Sequence, residues 1–118
     1  MKLEGEQALL RMHMSNLVKW HAGPLYQSLA VEARRRHLAG ATVLSGVYGY
    51  ADRGRLLGEH PNALQAERPV VLEIVDEEDK LLAFLEAAEP MLAGHHVLAT
   101  LERAHVVHYR GGPREAAS

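Results

Sequence analysis

The alternation of apolar and polar side chains along the chain predicts four β-strands. Between Ala8 and Met14 every second residue is apolar, which is typical of a strand with one buried face. The run Val-Val-Leu-Glu-Ile-Val at 70–75 is almost continuously apolar and predicts a mostly buried strand. Two further strands are predicted over 41–48, which is rich in Val, Thr and Tyr, and over about 97–109.

A first helix is predicted directly after Gly23-Pro24, because proline is favoured in the first turn of a helix. Gly40 is expected to supply the left-handed conformation that ends this helix. The apolar stripe has the three- and four-residue spacing of a helix and consists of Tyr26, Leu29, Ala30, Ala33 and His37. The following Arg34–Arg36 run is interpreted as a solvated face, since consecutive helical positions spread around the axis.

A second helix is predicted to begin after Asp76, which stands where an N-cap belongs. The acidic residues that follow it would place negative charge in the first turn, where the helix dipole favours it. The helix is expected to run to about Leu92, with Pro90 kinking it or ending it sooner. Its buried stripe would consist of Leu81, Phe84, Leu85, Ala88 and Leu92.

The order strand, helix, strand, long loop, strand, helix, strand predicts an α+β protein with a ferredoxin-like split βαβ sandwich (βαββαβ). This fold has a four-stranded antiparallel sheet with two helices on one face. Residues 1–118 are expected to form a single domain with a mobile tail at 111–118. The loop at about 50–69 is unusually long for so small a domain, and we therefore interpret it as functional.

Composition limits the classes of partner and site. The formal net charge of −2 lacks the positive excess that binding to nucleic acid normally requires, so nucleic acid is not an expected partner. No apolar run is long enough to cross a bilayer, and the start of the sequence lacks the apolar stretch of a secretory signal. The absence of cysteine excludes disulfides and thiolate metal sites and fits a cytoplasmic protein.

Four short motifs in order resemble the PII-like superfamily, and more closely its uncharacterised branch of short PII-like proteins, a domain-of-unknown-function family. They are Gly23–Tyr26, Leu38–Val43, Gly46–Tyr50 and Pro69–Asp76. The resemblance implies a homotrimer, a flexible T-loop at about 50–69, and ligand-binding clefts between subunits at the base of that loop. It also implies a signalling role, in which a bound ligand changes the T-loop and thereby regulates a transporter or an enzyme.

The resemblance also suggests residues for the ligand cleft. Thr42 resembles the family's strand threonine, and Gly49-Tyr50 resembles the pair that opens the T-loop, whereas Arg53 is displaced from the family's arginine. The segment at 94–96 occupies the family's short loop without its lysine. The complete candidate set is Thr42, Gly46, Gly49, Tyr50, Arg53, Gly94, His95, His96, His108 and Arg110.

The sparse positive charge in this set favours a less charged adenine nucleotide, or another small anion, over tight binding of a triphosphate. ATP, ADP and AMP are the candidate ligands, with or without magnesium. No nucleophile motif or paired carboxylates are present, so the protein is not expected to be an enzyme and no catalytic residue is predicted. The alternative is a trimeric metal-binding protein that uses some of the eight histidines, with His13, or His95 together with His105, as its first candidates.

Overall fold

The computed structural model of the chain describes residues 3–50, 56–58 and 67–110. Eight strands and two helices lie in these ranges. In chain order they are β1 (Gly5–Ser15), β2 (Lys19–Trp20), β3 (Gly23–Pro24), α1 (Leu25–Arg35), β4 (Ala41–Ser45), β5 (Tyr48–Tyr50), β6 (Leu56–Gly58), β7 (Pro69–Asp76), α2 (Glu78–Leu92) and β8 (Leu98–Val106). The predicted loop at 50–69 contains β6 in its described part, and Arg53 and the predicted tail at 111–118 lie outside the described residues.

Four of the strands form one antiparallel sheet in the order β4-β7-β1-β8. The two helices pack against one face of this sheet, which confirms the predicted ferredoxin-like arrangement. The short strands form two separate hairpins, β2 with β3 and β5 with β6, which the sequence pattern did not predict. Neither described helix is long and apolar enough to cross a membrane.

Strict alternation along the two central strands separates the faces of the sheet. On the face under the helices, which we call the helix face, the β1 side chains from Ala8 to Met14 are buried at every second position. In β7 the buried positions also alternate, and they pair with those of β1 in register. The core is completed by Leu25, Leu29, Ala33, Leu81, Phe84 and Ala88 from the helices. The opposite face of the sheet, which we call the open face, has no covering layer among the described residues.

Three details at the helix ends differ from the sequence-based expectation. The helix α1 ends at Arg35, and the left-handed residue that follows it is His37, with φ of 60°, rather than Gly40. Pro90 lies inside α2 and does not end it. The N-cap of α2 is Glu77, and Asp76 is still part of β7.

Asp76 is fully buried and joins two elements instead of capping one. Its Oδ2 accepts a hydrogen bond of 2.8 Å from the backbone N–H of Ala39, in the connection between α1 and β4. Its Oδ1 accepts one of 2.7 Å from the backbone N–H of Glu77, at the start of α2. A buried carboxylate needs such partners, and here it fixes the α1–β4 connection beside the end of β7.

Candidate functional site

A cavity of about 360 Å³ opens at one end of the open face, where the first residues of β4 lie beside the last residues of β7. We call it the Thr42 cavity. Leu9, Val75 and Val106 give it an apolar wall, and Thr42, Glu73 and His108 supply polar atoms. This mixture of an apolar wall with a few polar groups is typical of small-molecule sites.

Two hydrogen bonds hold the backbone of Ala39 at the rim of the Thr42 cavity. The backbone N–H of Ala39 donates to the buried Asp76, and the backbone carbonyl of Ala39 accepts a bond of 3.2 Å from Tyr109 Oη. Ala39, Gly40 and Tyr109 all line the cavity. The backbone at the rim is therefore positioned before any ligand arrives, which lowers the ordering cost of binding.

The charge of the cavity is modest because the one carboxylate among its described lining residues is already paired. Glu73 accepts a bond of 2.9 Å from Arg11 Nε, and a second nitrogen of Arg11 contacts Glu102 across the sheet. The hydrogen bond from Arg11 to Glu73 raises the pKa of Arg11 above its ordinary value. Arg11 is therefore committed to these two carboxylates. Among the sequence-predicted residues, His108 lines the cavity, whereas Arg110 directly follows the lining residue Tyr109 in sequence and does not itself line it.

The structure places the sequence-predicted site residues in two separate groups. Thr42 and His108 line the Thr42 cavity. Gly46 and Gly49 lie at the opposite end of the sheet, where both approach Pro69 at the start of β7. Thr42 and Gly46 are four residues apart on nearly extended chain, which corresponds to about 13 Å.

Gly46 is required by a close approach of two backbones. Its N–H donates a bond of 2.7 Å to the carbonyl of Pro69, and a Cβ at this position would lie 2.9 Å from Pro69 Cγ. Gly49 has a φ of 154°, a conformation that L side chains rarely adopt. β5 begins two residues after Gly46, contains Gly49 and exposes Tyr50.

The short loop before β8 also lies at the Gly46 end of the sheet. Gly94 has a left-handed φ of 81°, and the N–H of His95 donates to the carbonyl of Leu92 to close the turn after α2. His96 lines a second cavity of about 170 Å³ together with Ser15 and Glu67. We call it the His96 cavity.

Ser15 is held in structural hydrogen bonds at the edge of the His96 cavity. Its Oγ donates to Glu67 Oε2 and accepts from the backbone N–H of Leu17. The proton of this hydroxyl is therefore directed to a carboxylate rather than to the histidine of a Ser-His-Asp triad. The arrangement does not support an acyl-transfer site.

The histidines named for the metal alternative do not converge within the described chain. His105 lies near the end of β8, where its Nδ1 is 3.0 Å from Glu6 Oε1, whereas His95 precedes the start of the same strand. In residues 3–50, 56–58 and 67–110, no three side chains among His, Asp and Glu are grouped so that they could hold a metal ion.

Several lining residues of the Thr42 cavity were absent from the sequence-predicted set. Glu73 and Val75 were part of a motif, but their role depends on the face to which they point. The alternation in β7 places both opposite the buried Leu72 and Ile74, and the pairing of Glu73 with Thr42 brings them to one site. Tyr109 carried no sequence signal, because its contact joins residues 70 positions apart.

Comparison with known proteins gives matches along almost the whole chain. The family model DUF190, described as "Uncharacterized ACR, COG1993", matches residues 7–106. The UPF0166 protein of Aquifex aeolicus (strain VF5) is 34% identical over 103 residues, which are 87% of this chain and 95% of that protein.

Two solved structures show the same fold at low sequence identity. CPII from Thiomonas intermedia K12 is a nitrogen regulatory PII-like protein whose structure was determined bound to ADP, AMP and bicarbonate. It has a TM-score of 0.63 and 15% identity, over 93% of this chain and 92% of CPII. A putative PII-like signaling protein from Thermus thermophilus has a TM-score of 0.62 and 21% identity, over 91% of this chain and 94% of that one. The fold of the chain is therefore that of PII-like proteins.

Proposed function

Because this chain belongs to the DUF190 family and has the fold of PII-like proteins, we propose that it is a PII-like regulatory protein. It binds an adenine nucleotide, or another small anion, in clefts between the subunits of a homotrimer. The bound ligand changes the T-loop at about 50–69, which regulates a transporter or an enzyme. The protein itself binds and signals and does not catalyse a reaction.

The separation of the candidate residues carries the proposal that the cleft lies between subunits. Thr42 and His108 are at one end of the open face, and Gly46, Gly49 and His96 are at the other. Because the two groups lie at opposite ends of one sheet, they cannot line a single cleft within one subunit. Two subunits can do so when the end of one sheet meets the opposite end of its neighbour.

The open face supports self-association. It exposes Leu44 and Leu98 on the two edge strands, with 48% and 60% of their surfaces accessible. Between them, on β1, Arg11 is paired with carboxylates from β7 and β8. An apolar face whose charges are already paired can be buried at low desolvation cost, which suits an interface between identical chains.

The chemistry of the Thr42 cavity supports a ligand with few charges. His108 and Arg110 are the cationic groups that we assign to it, and a triphosphate normally requires more donors than these. The fold neighbour CPII was solved with ADP and AMP, which supports testing these nucleotides first. Its bicarbonate supports including a small anion in the same tests.

The β5–β6 hairpin supports a role of the T-loop in partner recognition. It pairs Tyr48 with Gly58 and Tyr50 with Leu56, and large side chains on both of its strands are exposed. Tyr48, Tyr50 and Leu56 are 56%, 66% and 60% exposed, respectively. Aromatic side chains in such a position are enriched at protein interfaces.

The proposal is tested by calorimetric titration and by light scattering on the same purified protein. We expect a trimer, and saturable binding of AMP or ADP at about one ligand per subunit. Titrations with ATP, magnesium and bicarbonate identify the preferred combination. A monomer in light scattering, or no binding of any of the nucleotides or of bicarbonate, would contradict the proposal.

Single substitutions locate the ligand. We expect His108→Ala and Arg110→Ala each to weaken nucleotide binding by about tenfold, since each removes a charge-assisted hydrogen bond to a phosphate. Arg103→Ala is the matched control, because Arg103 is an exposed cation of β8 whose cross-strand partner, Ala8, is buried on the helix face. Equal effects of all three variants would indicate a general loss of charge rather than a site.

A further inference from the structure

A third cavity lies on the outer, helical side of the molecule, far from the open face. It has a volume of about 340 Å³ and is formed where the end of α1 meets the first turns of α2. Three of its five described lining residues are cationic, namely Arg35, Arg36 and Lys80, and the other two are Leu38 and Ala83. We call it the basic cleft.

The two arginines share a single carboxylate. Glu32 accepts two hydrogen bonds from Arg35, of 3.1 Å to Nε and 2.8 Å to Nη2. The nearest nitrogen of Arg36 is 3.8 Å from Glu32, which is too long for a hydrogen bond. Arg35 is therefore held at the side of the cleft by Glu32. Arg36 lies near the same carboxylate without a hydrogen bond to it.

Lys80 faces the cleft from α2 with a weak partner. Its Nζ is 3.3 Å from Glu77, whose side chain is 56% exposed, so this pair is screened by solvent. With Glu32 and Glu77 counted against the three cations, one positive charge remains at the cleft. Within the described part of the chain, no carboxylate lines the cleft itself.

We propose that the basic cleft binds the phosphate group of a small phosphorylated molecule. The planar donors of Arg36 and the ammonium of Lys80 are the groups that recognise a phosphate dianion. The cleft has the size of a small-metabolite pocket, and Leu38 and Ala83 add apolar lining for the rest of such a molecule. This site is separate from the Thr42 cavity and does not depend on the proposed nucleotide cleft.

The inference revises the interpretation of the Arg34–Arg36 run. Consecutive positions do spread around a helix, but α1 ends at Arg35 and Arg36 is its C-cap. The departure from the helix lets Arg35 and Arg36 line the same cleft, whereas the exposed Arg34 does not line it. The run therefore divides into two site residues and one solvated residue.

Nuclear magnetic resonance of the ¹⁵N-labelled full chain tests the inference, with inorganic phosphate and ribose 5-phosphate as probes. We expect saturable shifts of the backbone amides of Leu38, Lys80 and Ala83 at constant ionic strength. Arg36→Gln and Lys80→Gln should each weaken this binding by about threefold, and the double variant should abolish saturation. Arg34→Gln is the matched control and should bind like the unmodified protein.

Three results would overturn the inference. The first is an equal set of shifts with sodium chloride, and the second is unchanged binding by the double variant with its remaining spectrum intact. The third is a response confined to Thr42 and His108, which would place the phosphate in the Thr42 cavity. That third result would leave the proposed function standing, so the two proposals fail separately.

Discussion

Substitution of Asp76 should destabilise the fold strongly, although its side chain is small. It is fully buried, and both of its oxygens accept short hydrogen bonds from backbone N–H groups, of Ala39 and of Glu77. A hydrogen bond to a charged group contributes about 1.5–3 kcal/mol, so the two bonds together represent about 3–6 kcal/mol. Asp76→Ala removes both acceptors and leaves two N–H groups unpaired. We expect the free energy of unfolding to fall by about 3–5 kcal/mol.

Asp76→Asn separates the effect of the acceptors from that of side-chain volume. The amide keeps one acceptor oxygen but turns an NH₂ group toward the other backbone N–H, so we expect a loss of about 1.5–3 kcal/mol. Asp79→Asn is the matched control, because Asp79 is an exposed acid in the first turn of α2. Its interaction with the helix dipole contributes only about 0.3–1 kcal/mol.

Urea denaturation followed by circular dichroism measures these differences. For a slope of about 2 kcal/mol per molar urea, the midpoint should fall by about 2 M in Asp76→Ala and by less than about 0.5 M in Asp79→Asn. Protein concentration must be held constant, since an oligomer gains stability by mass action. If Asp76→Ala loses no more stability than Asp79→Asn, the two hydrogen bonds do not carry the stabilisation assigned to them here.

Three further substitutions test other parts of the structure. In Gly46→Ala the new Cβ would clash with the ring of Pro69, and we expect a loss of stability of about 1–3 kcal/mol in the same urea assay. Gly23→Ala is the control and should be nearly neutral, because no atom lies within 4 Å of a Cβ at that position. Arg11→Ala leaves two carboxylates unpaired on the open face and should lower the fraction of trimer measured by light scattering. Arg35→Ala, on the outer side, should not change it. Equal trimer fractions in the two variants would argue against burial of the open face. Tyr109→Phe removes the hydrogen bond to the carbonyl of Ala39 at the cavity rim. It should weaken nucleotide binding several-fold in calorimetry with little change in stability. Unchanged affinity would show that the rim does not need this hydrogen bond.

The sheet could be predicted from the sequence because its signal is local. Alternation from Ala8 to Met14 and the apolar run at 70–75 are each visible within a few residues, and the structure pairs these two segments in the sheet centre. The edge strands were less well defined: the predicted strand at 41–48 ends at Ser45, and the one at 97–109 ends at Val106. Edge strands bury less surface, so their sequences carry a weaker pattern.

The candidate site could be predicted only in part, because its geometry depends on contacts between distant segments. Thr42 and His108 were predicted from the resemblance, and the structure brings them into one cavity. Glu73 joined them only through strand pairing, and Tyr109 only through its contact with Ala39. The sequence predicted Asp76 as a helix cap because acidic residues follow it, and that pattern gives no sign that Asp76 is buried.

The position of the candidate residues at opposite ends of one sheet has a genetic consequence. If each ligand cleft takes the Thr42 end of one chain and the Gly46 end of the next, no chain owns a complete site. A variant disabled at His108 and a variant disabled at His96 would then each be inactive alone, yet every mixed trimer would contain one cleft built from two intact halves. Random mixing of equal amounts would restore about a quarter of all clefts. The two alleles would complement each other inside one cell, although both affect the same activity of the same polypeptide.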